Sequence, residues 1–210
     1  SNQYVGNWPG VTVEKKEGRL KGRKDVIIQD LPGIYSLSPY TLEEVVARNY
    51  LTHERPDVIL NLVDASNIER NLYLTTQLLE LGIPVVVALN MIDVVKKRGD
   101  KIDTAKLSAT LGCPVVETAA VKGEGCMAAA EKAAALALTK EPFVPRHTFA
   151  QPVEEALSSI SQLVKDVVPA DSLRWYAIKL FERDEKVMAG FTLSADASTR
   201  LEAFIRGCEE

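Results

Sequence analysis

Ile83-Pro84-Val85-Val86-Val87-Ala88-Leu89-Asn90-Met91-Ile92-Asp93 decides how the rest of the chain reads. The run from Ile83 to Leu89 is apolar, rich in β-branched residues and bounded by Gly82, the pattern of a buried strand in a parallel sheet. Asn90 and Asp93 then fall at the carboxyl end of that strand, where open α/β sheets bind ligands. A carboxylate there can accept from the N1–H and exocyclic amine of a guanine, and an amide can reach N7. Adenine lacks the N1–H, so the pair would discriminate. The alternative is that Asn-x-x-Asp only caps the next helix and turns the chain.

The chain of 210 residues has room for one large domain or a domain with a small appendage. Apolar residues make up 46% and charged residues 26%, as in ordinary globular proteins. A net charge of −4 gives no support for non-specific nucleic-acid binding. Cys113, Cys126 and Cys208 have no metal-ligand spacing and suggest a reducing compartment. His53 and His147 are far apart in sequence. No run reaches the roughly 18 apolar residues of a membrane helix. With no signal peptide at Ser1 and no initial Met, the chain reads as a soluble, cytoplasmic piece cut from something longer.

Outward from the opening stretch, residues 1–10 read as a turn-rich loop around Trp8. Residues 11–18 and 25–30 read as an antiparallel hairpin at a sheet edge. Asp30-Leu31-Pro32-Gly33 follows directly. An Asp at a strand end with Gly three residues later can meet a metal-bound triphosphate, although a plain Pro-Gly turn explains it equally. Thr41 reads as the cap of a helix reaching about His53. Residues 57–64 read as a strand, 68–81 as a helix, and Lys96–Lys101 as a polar turn before a helix over 104–111. Residues 113–117 form a short strand that delivers Thr118-Ala119-Ala120, with an Ala-rich helix from Cys126 to about Thr139. This alternation predicts βαβ units in a mainly parallel sheet. The polar sites at Asp30/Gly33, Asn90/Asp93 and Thr118–Ala120 are then expected in one crevice. Two prolines in 141–146 mark a linker, and helical periodicity alone follows: 153–167, 172–181, a shorter piece, and 195–208.

These residues resemble the cytoplasmic GTPase region of bacterial ferrous iron transport protein B. Val5–Glu14 is similar to that family's first switch, Asp30–Leu37 to its second, Val63–Leu74 to a long family signature, and Asn90–Asp93 to its guanine motif. The stretch Trp175–Glu182 is similar to its helical domain. The resemblance implies an α/β fold of the P-loop GTPase type with flanking helices, followed by a small all-helical domain. Its implied boundaries are a G domain over 1–140, a linker over 141–152 and a helical domain over 153–210, incomplete at its C-terminus.

Residue roles follow from the resemblance alone. Thr12 and Asp30 would hold Mg²⁺, and Gly33 would donate its N–H to the terminal phosphate. The surrounding nucleotide-binding loops are Gly10, Val11, Val13, Glu14, Leu31 and Pro32. Asn90, Met91, Ile92 and Asp93 would read guanine under Thr118, Ala119 and Ala120. The implied ligand is GTP or GDP, with K⁺ an open addition, and the expected activity is GTP hydrolysis that regulates Fe²⁺ transport. The implied partners are a membrane permease domain of the same protein and a second copy of it, with no nucleic acid, at the cytoplasmic face of the inner membrane.

The sequence departs from the family in three places. The phosphate-cradling G-x-x-x-x-G-K-[ST] is absent from the chain and is expected just upstream of Ser1, with a first strand and first helix. Ile34 stands where many GTPases use Gln to orient water. The duty would pass to backbone groups, Trp8, Glu43 or Glu44, while packing or a solvated helix start explains those side chains equally. Ala119 replaces a Ser, which either loosens the base loop or is harmless. Two other functions fit less well: a non-catalytic G-domain remnant acting as an interaction module, and a ribosome-assembly GTPase.

Overall fold

The computed structural model describes residues 4–38, 41–140, 143–146, 148–190 and 192–209. The first two linker residues, Glu141 and Pro142, and His147 lie outside the described residues. The chain divides into two compact units, Ser1–Leu79 with Ile83–Phe143, and Glu80–Gly82 with Val144–Glu210.

The first unit is built on β5 (Val85–Asn90). Its five residues Val85–Leu89 are all buried, because a strand in the middle of a sheet with helices against it has no solvent face. It pairs in parallel with β4 (Ile59–Asp64) and β6 (Val115–Glu117). Helix α2 (Ile68–Leu79) and helix α5 (Cys126–Thr139) pack on these strands. The buried residues of α5 are Ala129, Ala133 and Ala134, small enough for close approach to the sheet. Asn61 of β4 is buried, and its Nδ2 donates to Thr75 Oγ1 at 2.7 Å, which satisfies the polar pair inside the α2 contact.

A separate antiparallel sheet has the order β1-β2-β3, from β1 (Tyr4–Asn7), β2 (Glu14–Arg19) and β3 (Ile27–Asp30). Residues 4–7 therefore correct the expected loop. They pair with 14–17, and the turn is confined to 9–12, with Gly10 at φ +75°. Strands β3 and β4 each have one hydrogen-bonded neighbour, and a cleft of about 1710 Å³ is lined by both. Ile27, Ile28 and Leu62 are exposed.

Thr41 caps α1 (Leu42–Asn49) as expected. It does so through a capping box: Glu44 N–H donates to Thr41 Oγ1, and Thr41 N–H donates to the Glu44 carboxylate. A π-helical turn extends α1 over Tyr50–Glu54. The polar turn expected around Lys96 is instead the second half of a short helix, α3 (Ile92–Arg98), which buries Ile92 and Val95 one turn apart. Helix α4 (Thr104–Leu111) follows, capped by Asp103.

The second unit contains α6 (Gln151–Val164), α7 (Leu173–Phe181), α8 (Glu185–Ala189) and α9 (Ala195–Glu209). Ala156, Leu157, Ile160 and Val164 form the buried face of α6 against α7 and α9. Arg174 forks between two acids, donating from Nε to Glu80 at 2.6 Å and from its two terminal nitrogens to Glu154 at 2.8 and 2.9 Å. Glu80 is only 8% exposed, so its carboxylate depends on that guanidinium. Arg174→Ala is expected to lower unfolding stability by about 3 kcal/mol in urea denaturation. Adding Glu80→Gln should recover part of the loss, because the stranded charge is gone.

Candidate functional site

Asn90 closes β5, and the chain turns at Met91 through a left-handed conformation, φ 64° and ψ 23°. That turn starts α3 at once and puts Asp93 in its first turn. Strand β6 ends beside it: Thr118 N–H donates to Leu89 O at 2.9 Å, and Ile92 N–H donates to Thr118 O at 3.3 Å. Asn90 Oδ1 then accepts from Ala120 N–H at 3.0 Å and from Thr118 Oγ1 at 3.3 Å. Asn90, Asp93 and Thr118–Ala120 are thus brought together at the carboxyl ends of β5 and β6.

The loop after β6 is closed on itself. Ala119 and Glu124 exchange backbone hydrogen bonds at 3.0 and 3.2 Å, and Lys122 N–H and Gly123 N–H donate to Ala119 O and Ala120 O. Gly125, at φ +74°, makes the closure possible: a Cβ there would lie 2.1 Å from Glu117 O. Ala119 is 2% exposed, held by main-chain bonds and packing. Lys122, at the tip, reaches Asp93 Oδ2 at 2.9 Å. This hydrogen bond holds the Asp93 carboxyl below the usual carboxylate range, so it is ionised and accepting at neutral pH. Nothing in the local pattern around Lys122 marks it for this pairing beyond its place between Ala119 and Gly123.

Asp30 ends β3 opposite Lys16. A small cavity of about 460 Å³ is lined by Val13, Glu14, Lys16, Asp30, Leu31, Pro32 and Gly33. Thr12 is exposed and outside that lining. Neither this cavity nor the larger cleft includes Asn90, Asp93 or Thr118. Asp30 belongs to the antiparallel sheet and Asn90 to the parallel one, and no strand pairing joins the two among the described residues. The acid ending β4, Asp64, turns the chain into α2, accepting from Ser66 N–H at 2.8 Å and Ser66 Oγ at 2.7 Å.

Trp8 is 8% exposed, in edge contact with Tyr50 at 5.3 Å and under the Lys15 ammonium at 5.0 Å. Its setting is the packing one. Glu44 is engaged in the capping box, and Glu43 is exposed. Beyond Gly33 the chain is pinned to α2. Leu37 N–H donates to Gln77 Oε1 at 2.7 Å, Ser36 Oγ to the same oxygen at 3.3 Å, and Arg70 lies 4.2 Å from the Tyr35 ring centre.

Residues 1–133 match the family model of ferrous iron transport protein B, and 149–210 match that of the FeoB cytosolic helical domain. The chain belongs to the ferrous iron transport protein B family. It is 42% identical over 189 residues to the Fe(2+) transporter FeoB of Escherichia coli K12, which covers 88% of the chain but 24% of that transporter. Among solved structures, an S. thermophilus NFeoB mutant bound to mGDP is 53% identical with a TM-score of 0.93, covering 98% of this chain and 79% of that one. Another mutant of the same protein, bound to GDP·AlF4⁻, is 52% identical with a TM-score of 0.87, covering 98% and 80%. The P-loop GTPase fold with a following helical domain is therefore the fold of this chain. No helix among the described residues is long and apolar enough to cross a membrane.

Gly125→Ala is expected to break the loop after β6, costing upwards of about 2 kcal/mol through the clash and the positive φ. Hydrogen exchange should show lost protection at the Ala120 amide. Gly99→Ala, at φ +86° but with nothing within 4 Å of its Cβ, should cost only about 1 kcal/mol in the same melts.

Proposed function

We propose that the chain binds guanine nucleotides and hydrolyses GTP as the cytoplasmic regulatory switch of a bacterial ferrous iron transporter. The observation that carries this is the assembly of Asn90, Asp93 and Thr118–Ala120 at two adjacent strand ends. Asp93 accepts from N1–H and the exocyclic amine of guanine, and Asn90 Nδ2 donates to N7 while its oxygen holds the loop. Met91 and Ile92 flank the base, and the backbone of Ala119 and Ala120 closes over it. The GDP-bound relatives and the GDP·AlF4⁻ complex support the same reading.

At the phosphate end, Asp30 and Thr12 supply one carboxylate and one hydroxyl. Among the described residues no group of three or more His, Cys, Asp or Glu could hold a metal. One or two hard oxygens fit Mg²⁺, which completes its shell from water and phosphate. When bound, it would neutralise charge on the phosphates. A Cβ on Gly33 would meet nothing within 4 Å, so a phosphate has room to approach its backbone; the Gly33 N–H would meet the terminal phosphate, with Gly10, Val11, Val13, Glu14, Leu31 and Pro32 carrying the loops around it. Ile34 cannot orient water. With Trp8 packed and Glu44 capping α1, backbone groups and Glu43 are left for that duty, and the intrinsic rate is slow.

The G domain is assigned to 1–140, the linker to 141–152 and the helical domain to 153–210. The cleft between β3 and β4 takes a further strand and the phosphate loop from upstream sequence. The two free edges and the exposed Ile27, Ile28 and Leu62 support that assignment. In the whole protein the partner is a membrane permease domain, and the surface is the cytoplasmic face of the inner membrane.

A titration of fluorescent GDP and ADP against this chain, and against a version extended upstream, tests the proposal. Tight, guanine-selective binding by the extended version is expected, and no preference for GDP over ADP in either would overturn it. Asp93→Asn should weaken GDP about 100-fold, from the loss of two hydrogen bonds to a charged acceptor. The same change should improve binding of xanthosine diphosphate, whose 2-carbonyl accepts from the new amide.

A further inference from the structure

The base-reading carboxylate already has a partner. Lys122 Nζ lies 2.9 Å from Asp93 Oδ2, and both belong to the guanine site just described. The lysine is not a loose surface group reaching by chance. Its own N–H is bonded to Ala119 O, and the following residue is bonded to Ala120 O. The Ala119–Glu124 bridge and the Gly125 approach to Glu117 O fix that loop tip against β6. The side chain therefore starts from the loop that closes over the base and ends on the acid that reads the base. The ammonium is a donor meeting the carboxylate as the guanine N1–H and amine would, so the two ligands compete for the same oxygens.

We propose that Lys122 is a latch on Asp93 that guanine must displace on entry and that re-forms as nucleotide leaves, so that Lys122 sets the exchange rate. This rests on the guanine-binding reading of the site. The Lys122 side chain is 53% exposed and that of Asp93 31% exposed, so the pair is worth little on its own and yields readily to the base. Such a contact tunes a rate without blocking binding. Glu124, two residues on, is the other acid near the ammonium and receives it when the latch opens.

The test is stopped-flow release and binding of fluorescent GDP with the guanine-binding protein of the titration above, in wild type, Lys122→Met and Lys122→Arg. Lys122→Met keeps the stem and removes the charge. It should slow GDP release and tighten affinity about threefold, while Lys122→Arg stays close to wild type. The difference between wild type and Lys122→Met should shrink as NaCl rises from about 0.05 to 0.5 M, because the pair is exposed to screening. In an Asp93→Asn background, with xanthosine diphosphate as the probe, Lys122→Met should change nothing. Unchanged or faster GDP release in Lys122→Met overturns the latch while leaving guanine recognition standing. Equal binding of GDP and ADP by wild type overturns both.

Discussion

The side-chain oxygen of Asn90 is the contact on which the whole proposed base-reading end depends. It accepts from the Ala120 N–H and the Thr118 hydroxyl, and so hangs the loop after β6 from the end of β5. Strand β5 is buried along its length and cannot shift without disturbing the helices packed on it. The position of Asn90 is therefore inherited from the core. The left-handed turn at Met91 passes that rigidity on, because it fixes where α3 begins and where Asp93 points. A specificity site needs groups held within a fraction of an ångström, and strand ends provide that better than free loops do.

The phosphate end is built differently. The segment after Gly33 is held to α2 by Gln77, by the Arg70–Tyr35 contact and by Leu37, which is fully buried. The polar contacts are each worth about 1 kcal/mol and the buried leucine about 2 kcal/mol, so each of these contacts is a small term. A new ligand contact of similar size at Asp30–Gly33 could compete with them. On the proposed assignment, the contrast between a fixed base end and a lightly held phosphate end suits a nucleotide switch, since only the terminal phosphate differs between its states.

Much of this was legible in the sequence, for physical reasons that differ by element. β5 could be read because a continuous β-branched run between a glycine and a polar pair has few other solutions, while α2 was carried by its spaced apolar residues and α5 by its alanine content. β1 escaped because Val5-Gly6-Asn7 has no alternation and stands beside Pro9 and Gly10. Its pairing comes from β2, not from its own propensity. α3 escaped because only Ile92 and Val95 are apolar on its buried side, and the lysines after them read as a turn. The guanine motif was visible as a local pattern. The Lys122–Asp93 pair was not, because it depends on how a closed loop is aimed across two strand ends.

Stability is unevenly shared within the first unit. No residue within β1, β2 or β3 is buried; the nearby buried side chains are Trp8 and Leu20, outside the strands. β4 and β5 together bury eight residues, three in β4 and five in β5, with α2 and α5 against them. A three-stranded antiparallel sheet with so little apolar cover is marginal by itself, and its open edge at β3 presents unpaired backbone groups to water. The parallel sheet gains tens of cal/mol per Å² from its covered faces. Local opening should therefore begin at β1–β3 and reach β4–β6 only with global unfolding. The groups proposed for the phosphates ride on the weaker sheet and those proposed to read the base on the stronger one, so the same difference in burial that sets stability also sets which end of the proposed site moves more easily.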